Sequence, residues 1–158
     1  MRDALSPMAV PVAATEDQVL GLFCKAMSVC PVHHRYVMSD ILTMALPPIR
    51  LKQYRFFNDG PSFGVLTWAF LDETAAQQHI ENRVPLSIEQ WRSGNQTWII
   101  SLIGRRINPR HIVEVAQNKL KMKSAKYLRR DCSMTVLKTV HVFDLEGRLQ
   151  VRSSYVRK

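Results

Sequence analysis

Apolar side chains recur at helical spacing through Val19, Leu20, Phe23, Cys24 and Met27, and Thr15, Glu16, Asp17 and Gln18 stand before them as a capping-box pattern. An amphipathic helix is expected there. A second helical pattern runs from about His33 to Ala45, with Val37, Ile41, Met44 and Ala45 on one side, and Pro47 and Pro48 are expected to end it. Cys30-Pro31-Val32 is the short link between the two. Leu51 to Phe57 is rich in large and aromatic residues, Asn58-Asp59-Gly60-Pro61 is a strong turn, and Phe63 to Leu71 is again β-prone, which predicts a hairpin. Asp72 then caps a helix reaching about Asn82. Thr97 to Ile103 is nearly all apolar apart from Ser101 and reads as a buried strand. A helix over His111 to Met122 and two strands, Thr135 to Phe143 and Leu149 to Tyr155, joined through Asp144-Leu145-Glu146-Gly147, complete the pattern. Helices interleaved with hairpins in this order predict an α/β fold, a mixed sheet flanked by helices in a single domain.

Length and composition agree with that picture. A chain of 158 residues buries about two thirds of its unfolded surface without cross-links. Its 46% hydrophobic and 22% charged residues are ordinary for a globular domain. Residues 1–14 read as a flexible N-terminal arm and 15–158 as the domain. The arm carries Arg2 and Asp3 and is broken by Pro7 and Pro11, so it lacks the unbroken apolar stretch of a secretory signal. No apolar run elsewhere approaches the roughly 20 residues of a membrane span. Cys24, Cys30 and Cys132 are odd in number and widely spaced, which suggests neither a disulfide framework nor a zinc site. A cytoplasmic location, with no metal and no membrane span, is the expectation.

Charge is unevenly placed along the chain. The formal net charge is +9, yet up to Ile100 eight Lys and Arg face nine Asp and Glu, whereas from Ser101 onward fourteen face four. The last third therefore carries a net +10 and would draw in an acidic partner. Arg105, Arg106 and Arg110, with Lys119, Lys121 and Lys123 beyond them, suit phosphate or another anion, and a solvated helix face explains them equally well.

Phosphate-loop, GxSxG, HExxH and GxGxxG signatures are absent, so nucleotide-driven and metal-driven chemistry lose ground. What remains is Cys30-Pro31-Val32-His33-His34, a proline turn presenting histidines at the entrance to the expected second helix. A neutral imidazole there would accept a proton from an attacking amine, while surface or capping histidines are the ordinary reading. Cys30 with His33 also suggests a thiolate–imidazole dyad, although a small buried thiol is the commoner outcome. Trp68, Trp91 and Trp98 suit a core or a pocket wall better than platforms for bases.

Taken together these segments resemble the RTX toxin-activating lysine acyltransferases, the hemolysin-activating family. The resemblance runs from about Val19 to Ile103. Val19-Leu20-Gly21 resembles the family's opening helix, and Cys30-Pro31-Val32-His33 its Ser-Pro-x-His. Leu46-Pro47-Pro48-Ile49 with Gln53-Tyr54 resembles its Leu-Pro-x-Ile and Gln-Tyr, and Thr67-Trp68-Ala69 its Ser-Trp-Ala. Trp91-Arg92-Ser93-Gly94-Asn95 with Trp98-Ile99-Ile100 resembles its Trp-x-Ser-Gly-Asp and following strand.

The resemblance implies a fold like the GNAT acetyltransferases, no bound cofactor, an acyl carrier protein thioester as donor, and an internal lysine of an RTX protoxin as acceptor. His33 falls on the family's essential histidine and is the expected base. Ser101 stands where the family has a catalytic aspartate, and is the expected neutral polar substitute. Cys30, Trp68, Trp98, Arg105 and Arg106 are the expected substrate-binding residues, and the basic last third is a landing surface for an acidic carrier protein. Cys30 replaces the family's serine, Met44 an asparagine of the second helix, and Gly104-Arg105-Arg106 an Ala-Pro-Phe. Loss of an orienting acid costs other histidine-dependent sites several powers of ten in rate. Two consequences follow as alternatives: a differently arranged catalyst, or a homologue that binds carrier protein or toxin without the reaction. A homodimer stays open. Nucleic acid is not expected as a partner, because no reading motif accompanies the charge.

Overall fold

Helix α1, Glu16–Ser28, begins at the expected cap. The Thr15 hydroxyl accepts the Gln18 N–H at 3.3 Å and the Gln18 side chain accepts the Thr15 N–H at 2.9 Å, which satisfies two donors that a helix start leaves open. The computed structural model describes residues 13–58, 60–81, 84–107, 125–129, 139–143 and 149–152. They fall into two compact units, residues up to 67 with 101–107, and residues 68–100 with the described residues from 125 onward.

In the first unit α1 lays Val19, Phe23, Ala26 and Met27 against Ala45 and Ile49 of helix α2, Met38–Leu51. Strand β1, Tyr54–Asn58, adds Phe56, and β2, Phe63–Leu71, adds Phe63 and Val65. Phe23 meets Phe56 edge-on at 5.4 Å and Tyr54 at 5.8 Å between ring centroids. Each such buried side chain contributes about 1.5–3 kcal/mol. The hairpin is as expected, antiparallel from Tyr54↔Thr67 to Asn58↔Phe63.

The second helix differs from expectation at both ends. Residues 31–35 form a turn, not a helix: the His34 N–H bonds to Cys30 O at 3.1 Å and the Tyr36 N–H to His33 O at 3.0 Å. Val37 is extended (ψ 162°) and serves as the N-cap, so α2 starts at Met38 and His33 does not stand at a helix entrance. At the other end Pro47 and Pro48 lie inside the helix. Interior proline costs about 3 kcal/mol, and here burial of Pro48 and Ile49 in the core offsets it. The helix stops instead at Lys52, whose left-handed backbone (φ 54°) lets the Gln53 N–H reach Pro48 O at 2.8 Å.

In the second unit Asp72 caps helix α3, Glu73–Glu81, by accepting the Ala75 N–H at 2.7 Å. Strand β3, Gln96–Arg105, extends the expected buried strand by a residue or two at each end. Strand β4, Ala125–Arg129, pairs parallel to β3 through Trp98↔Lys126 and Ile99↔Tyr127. Sequence periodicity missed it, since five residues with two charges give too short a pattern. Strands β5, Thr139–Phe143, and β6, Leu149–Arg152, form the expected antiparallel pair, and β4 pairs antiparallel with β5. The strand order is β1-β2-β3-β4-β5-β6 in a mixed sheet, and β2 and β3 each run through both units. The fold is therefore mixed α/β. The helix expected over 111–122 and the link at 144–147 lie outside the described residues, as do most of the arm and Cys132.

Candidate functional site

The turn after α1 gathers the chemistry. Cys30 Sγ lies 3.0 Å from His33 Nδ1, a contact made possible because the turn brings residues three apart face to face. His34 donates from Nδ1 to Cys30 O at 3.1 Å, beside its own backbone bond to the same oxygen, and so pins the turn from the other side. The His33 ring sits 5.0 Å from the ring of Tyr36, tilted by 55°. Cys30 is 5% exposed and joins the core cluster, whereas Pro31 and Val32 after it are exposed and His33 is half-buried. The sulfur thus lies just beneath an exposed turn.

The backbone at Gly104, His33 and Val32 also favours a charged sulfur. Burial pushes the thiol up, but the His33 side chain and this backbone together outweigh it and bring Cys30 down from 9.0 to about 6. At neutral pH the pair is therefore a thiolate held by hydrogen bonds. A low-pKa thiolate beside an imidazole is both a nucleophile and a fixed negative partner for that ring.

Gly104 is needed for this arrangement. Its φ of +149° is one that side chains rarely adopt, and a Cβ there would sit 2.1 Å from Phe63 O and 2.6 Å from Gly64 Cα. The close approach packs the end of β3 against the start of β2. Sequence reading noted Gly104 only as a departure from the family pattern; the usable signal was a glycine inside an apolar strand, which marks close backbone contact.

The other expected site residues divide between the units. Ser101 lies on β3 three residues before Gly104, half-buried, and among the described residues no hydrogen bond joins its hydroxyl to His33. Arg105 and Arg106 follow on the same strand end and are exposed; the Arg106 carbonyl accepts the Ser62 hydroxyl at 2.7 Å. Trp68 and Trp98 are buried in the second unit. Trp98 stands edge-on to His79 at 5.6 Å, donates to Gln96 Oε1 at 3.3 Å, and has Lys126 Nζ 5.7 Å from its ring centroid.

Trp91-Arg92-Ser93-Gly94 has a different task. It clasps the end of β2: the Phe70 N–H bonds to Trp91 O at 2.9 Å, the Gly94 N–H to Phe70 O at 3.1 Å, and the Asp72 N–H to the Ser93 hydroxyl at 3.0 Å. A Cβ on Gly94 would meet Asp72 N at 2.4 Å.

Residues 12–144 match the family described as RTX toxin acyltransferases. An uncharacterised protein of Synechocystis sp. is 30% identical over 126 residues, 76% of this chain and 86% of that protein. The lysine-acyltransferase RtxC of Vibrio cholerae is 31% identical over 99 residues, 61% of this chain and 65% of the relative. The RTX-II toxin-activating lysine-acyltransferase ApxIIC of Actinobacillus pleuropneumoniae is 27% identical over 86 residues, 54% of each chain. The matched part therefore spans between about half and two thirds of these two acyltransferases.

Proposed function

This chain belongs to the RTX toxin acyltransferase family, and on that premise we propose that it moves a fatty acyl group from an acyl carrier protein thioester to an internal lysine of an RTX toxin precursor. Aminolysis of a thioester needs a base, because lysine with a reference pKa of about 10.4 arrives protonated. His33 is that base. The observation that carries the reading is the 3.0 Å contact between His33 Nδ1 and Cys30 Sγ. It gives the imidazole a fixed orientation and a negative partner, which is what an acid behind a catalytic histidine supplies in other sites.

That contact also bears on Ser101. A hydroxyl forms hydrogen bonds but carries no charge, and the charge that position 101 lacks is present at position 30 instead. The reading does not depend on Ser101 touching the ring. Around the turn Val32, Val37 and Met38 are 63%, 60% and 61% exposed, apolar surface of the kind an acyl chain covers. The basic stretch from Ser101 onward, Arg105 and Arg106 included, suits an acidic carrier protein.

A second reading, a binding homologue without the reaction, is favoured by the missing acid and the absent link between Ser101 and His33. The two separate cleanly in one experiment. The chain is co-expressed with an RTX toxin precursor and acyl carrier protein, and the toxin's lysine peptides are weighed. An acyl adduct that disappears with His33→Ala supports the transferase; toxin activation without any adduct, and indifferent to His33→Ala, supports the binding role.

A further inference from the structure

The geometry points to Cys30 as the residue that first takes the acyl group, so that transfer to lysine proceeds in two steps through a thioester on this chain. The inference rests on the acyltransferase reading and adds a covalent step to it.

Two features of the structure carry it. Cys30 Sγ is paired with the His33 ring at 3.0 Å, and the backbone of Gly104, His33 and Val32 adds to what favours its charged form. A thiol whose only role were to fill the core would have no use for an imidazole at hydrogen-bond distance, and ordinary burial would keep it protonated. Independently, four of the six large apolar side chains that are exposed among the described residues, Val29, Val32, Val37 and Met38, belong to the stretch that carries Cys30 and His33. An apolar surface beside a nucleophile is the combination a fatty thioester requires. The hydrogen bonds that hold the thiol down to about 6 keep it ionised at neutral pH.

The Cys30 thiolate attacks the donor's carbonyl carbon, a carbon–sulfur bond to Cys30 forms, and the donor sulfur leaves as a thiolate that takes a proton from water. The lysine ammonium gives a proton to His33, and the neutral amine attacks the Cys30 thioester. The bond to Cys30 breaks to restore the thiolate, and the new amide nitrogen and His33 each release a proton to water. Sulfur exchanges for sulfur in the first step, so the acyl group loses no activation before it meets the amine.

The test uses the full chain with an acyl carrier protein thioester and no toxin, quenched in acid and weighed intact. We expect a mass increase of one acyl group on the tryptic peptide Ala26–Arg35, removed by neutral hydroxylamine and cleared on adding the toxin precursor. Cys30→Ala should lose both adduct and transfer, and Cys30→Ser, closest in shape, should carry no hydroxylamine-labile adduct while keeping the wild-type circular dichroism. Lysine acylation by Cys30→Ala at the wild-type rate, or wild-type transfer with no adduct at any quench time, overturns the covalent step and leaves the transferase reading standing. Absence of lysine acylation by the wild type overturns both.

Discussion

Two segments of similar length, Cys30 to His33 and Trp91 to Gly94, are built from turns rich in hydrogen bonds, yet they put those bonds to opposite uses. In the Trp91 segment the polar groups serve the backbone at the end of β2: two bonds to Phe70 and one to Asp72. In the Cys30 segment the His33 ring is turned onto a side-chain sulfur that can be charged. A motif that closes upon backbone holds a fold, and one that turns a ring onto an ionisable atom holds a charge. The contrast makes substitutions in the two segments fail differently.

The largest effect should come from His33→Ala, which removes a general base and should lower lysine acylation by about 10²–10⁴-fold with little change in the urea midpoint. Gly94→Ala should do the reverse. Its Cβ would press on Asp72, costing about 1–3 kcal/mol in urea unfolding, with acylation per folded molecule preserved. Ser93→Ala removes a single bond to the Asp72 N–H and should cost about 1 kcal/mol by the same measurement. A loss of activity in Ser93→Ala or Gly94→Ala beyond the loss of folded protein would erase the distinction between the segments.

A further effect is a pH slope. Cys30 has a folded pKa of about 6, below its ordinary 9.0. Its contribution to stability is full above the unfolded value, and it falls away as pH drops toward 6, because the unfolded chain binds more protons in that window. The melting temperature of the wild type minus that of Cys30→Ala should therefore rise from pH 6 to pH 9. A flat difference would mean that the sulfur is an ordinary thiol in both states.

The sequence made α1, the hairpin, α3 and β3 legible because each carries its own local signal: a capping box, a turn between β-prone runs, an aspartate cap, an apolar run. It misplaced α2 because proline is a local rule that tertiary burial overrode at Pro48, and because the turn at 31–35 is set by bonds to Cys30 O. It missed β4, where pairing with β3 and not local pattern defines the strand. At the site, His33 was visible through its neighbours in the chain. The weight of Cys30 was not, because what lowers its pKa includes a contribution that arrives through folding, that of Gly104 from the far end of β3. Ser101 drew attention only through the resemblance, as the residue standing where the family has an aspartate, and nothing in the strand's own pattern marked it.

The pairing of Cys30 with His33 is tested most directly by the rate at which iodoacetamide alkylates Cys30, followed on the Ala26–Arg35 peptide, which contains no other cysteine. The wild-type rate should reach half its maximum near pH 6, and His33→Ala should move that midpoint upward toward the ordinary thiol range. A wild-type midpoint already in that range, unmoved by His33→Ala, would contradict the account.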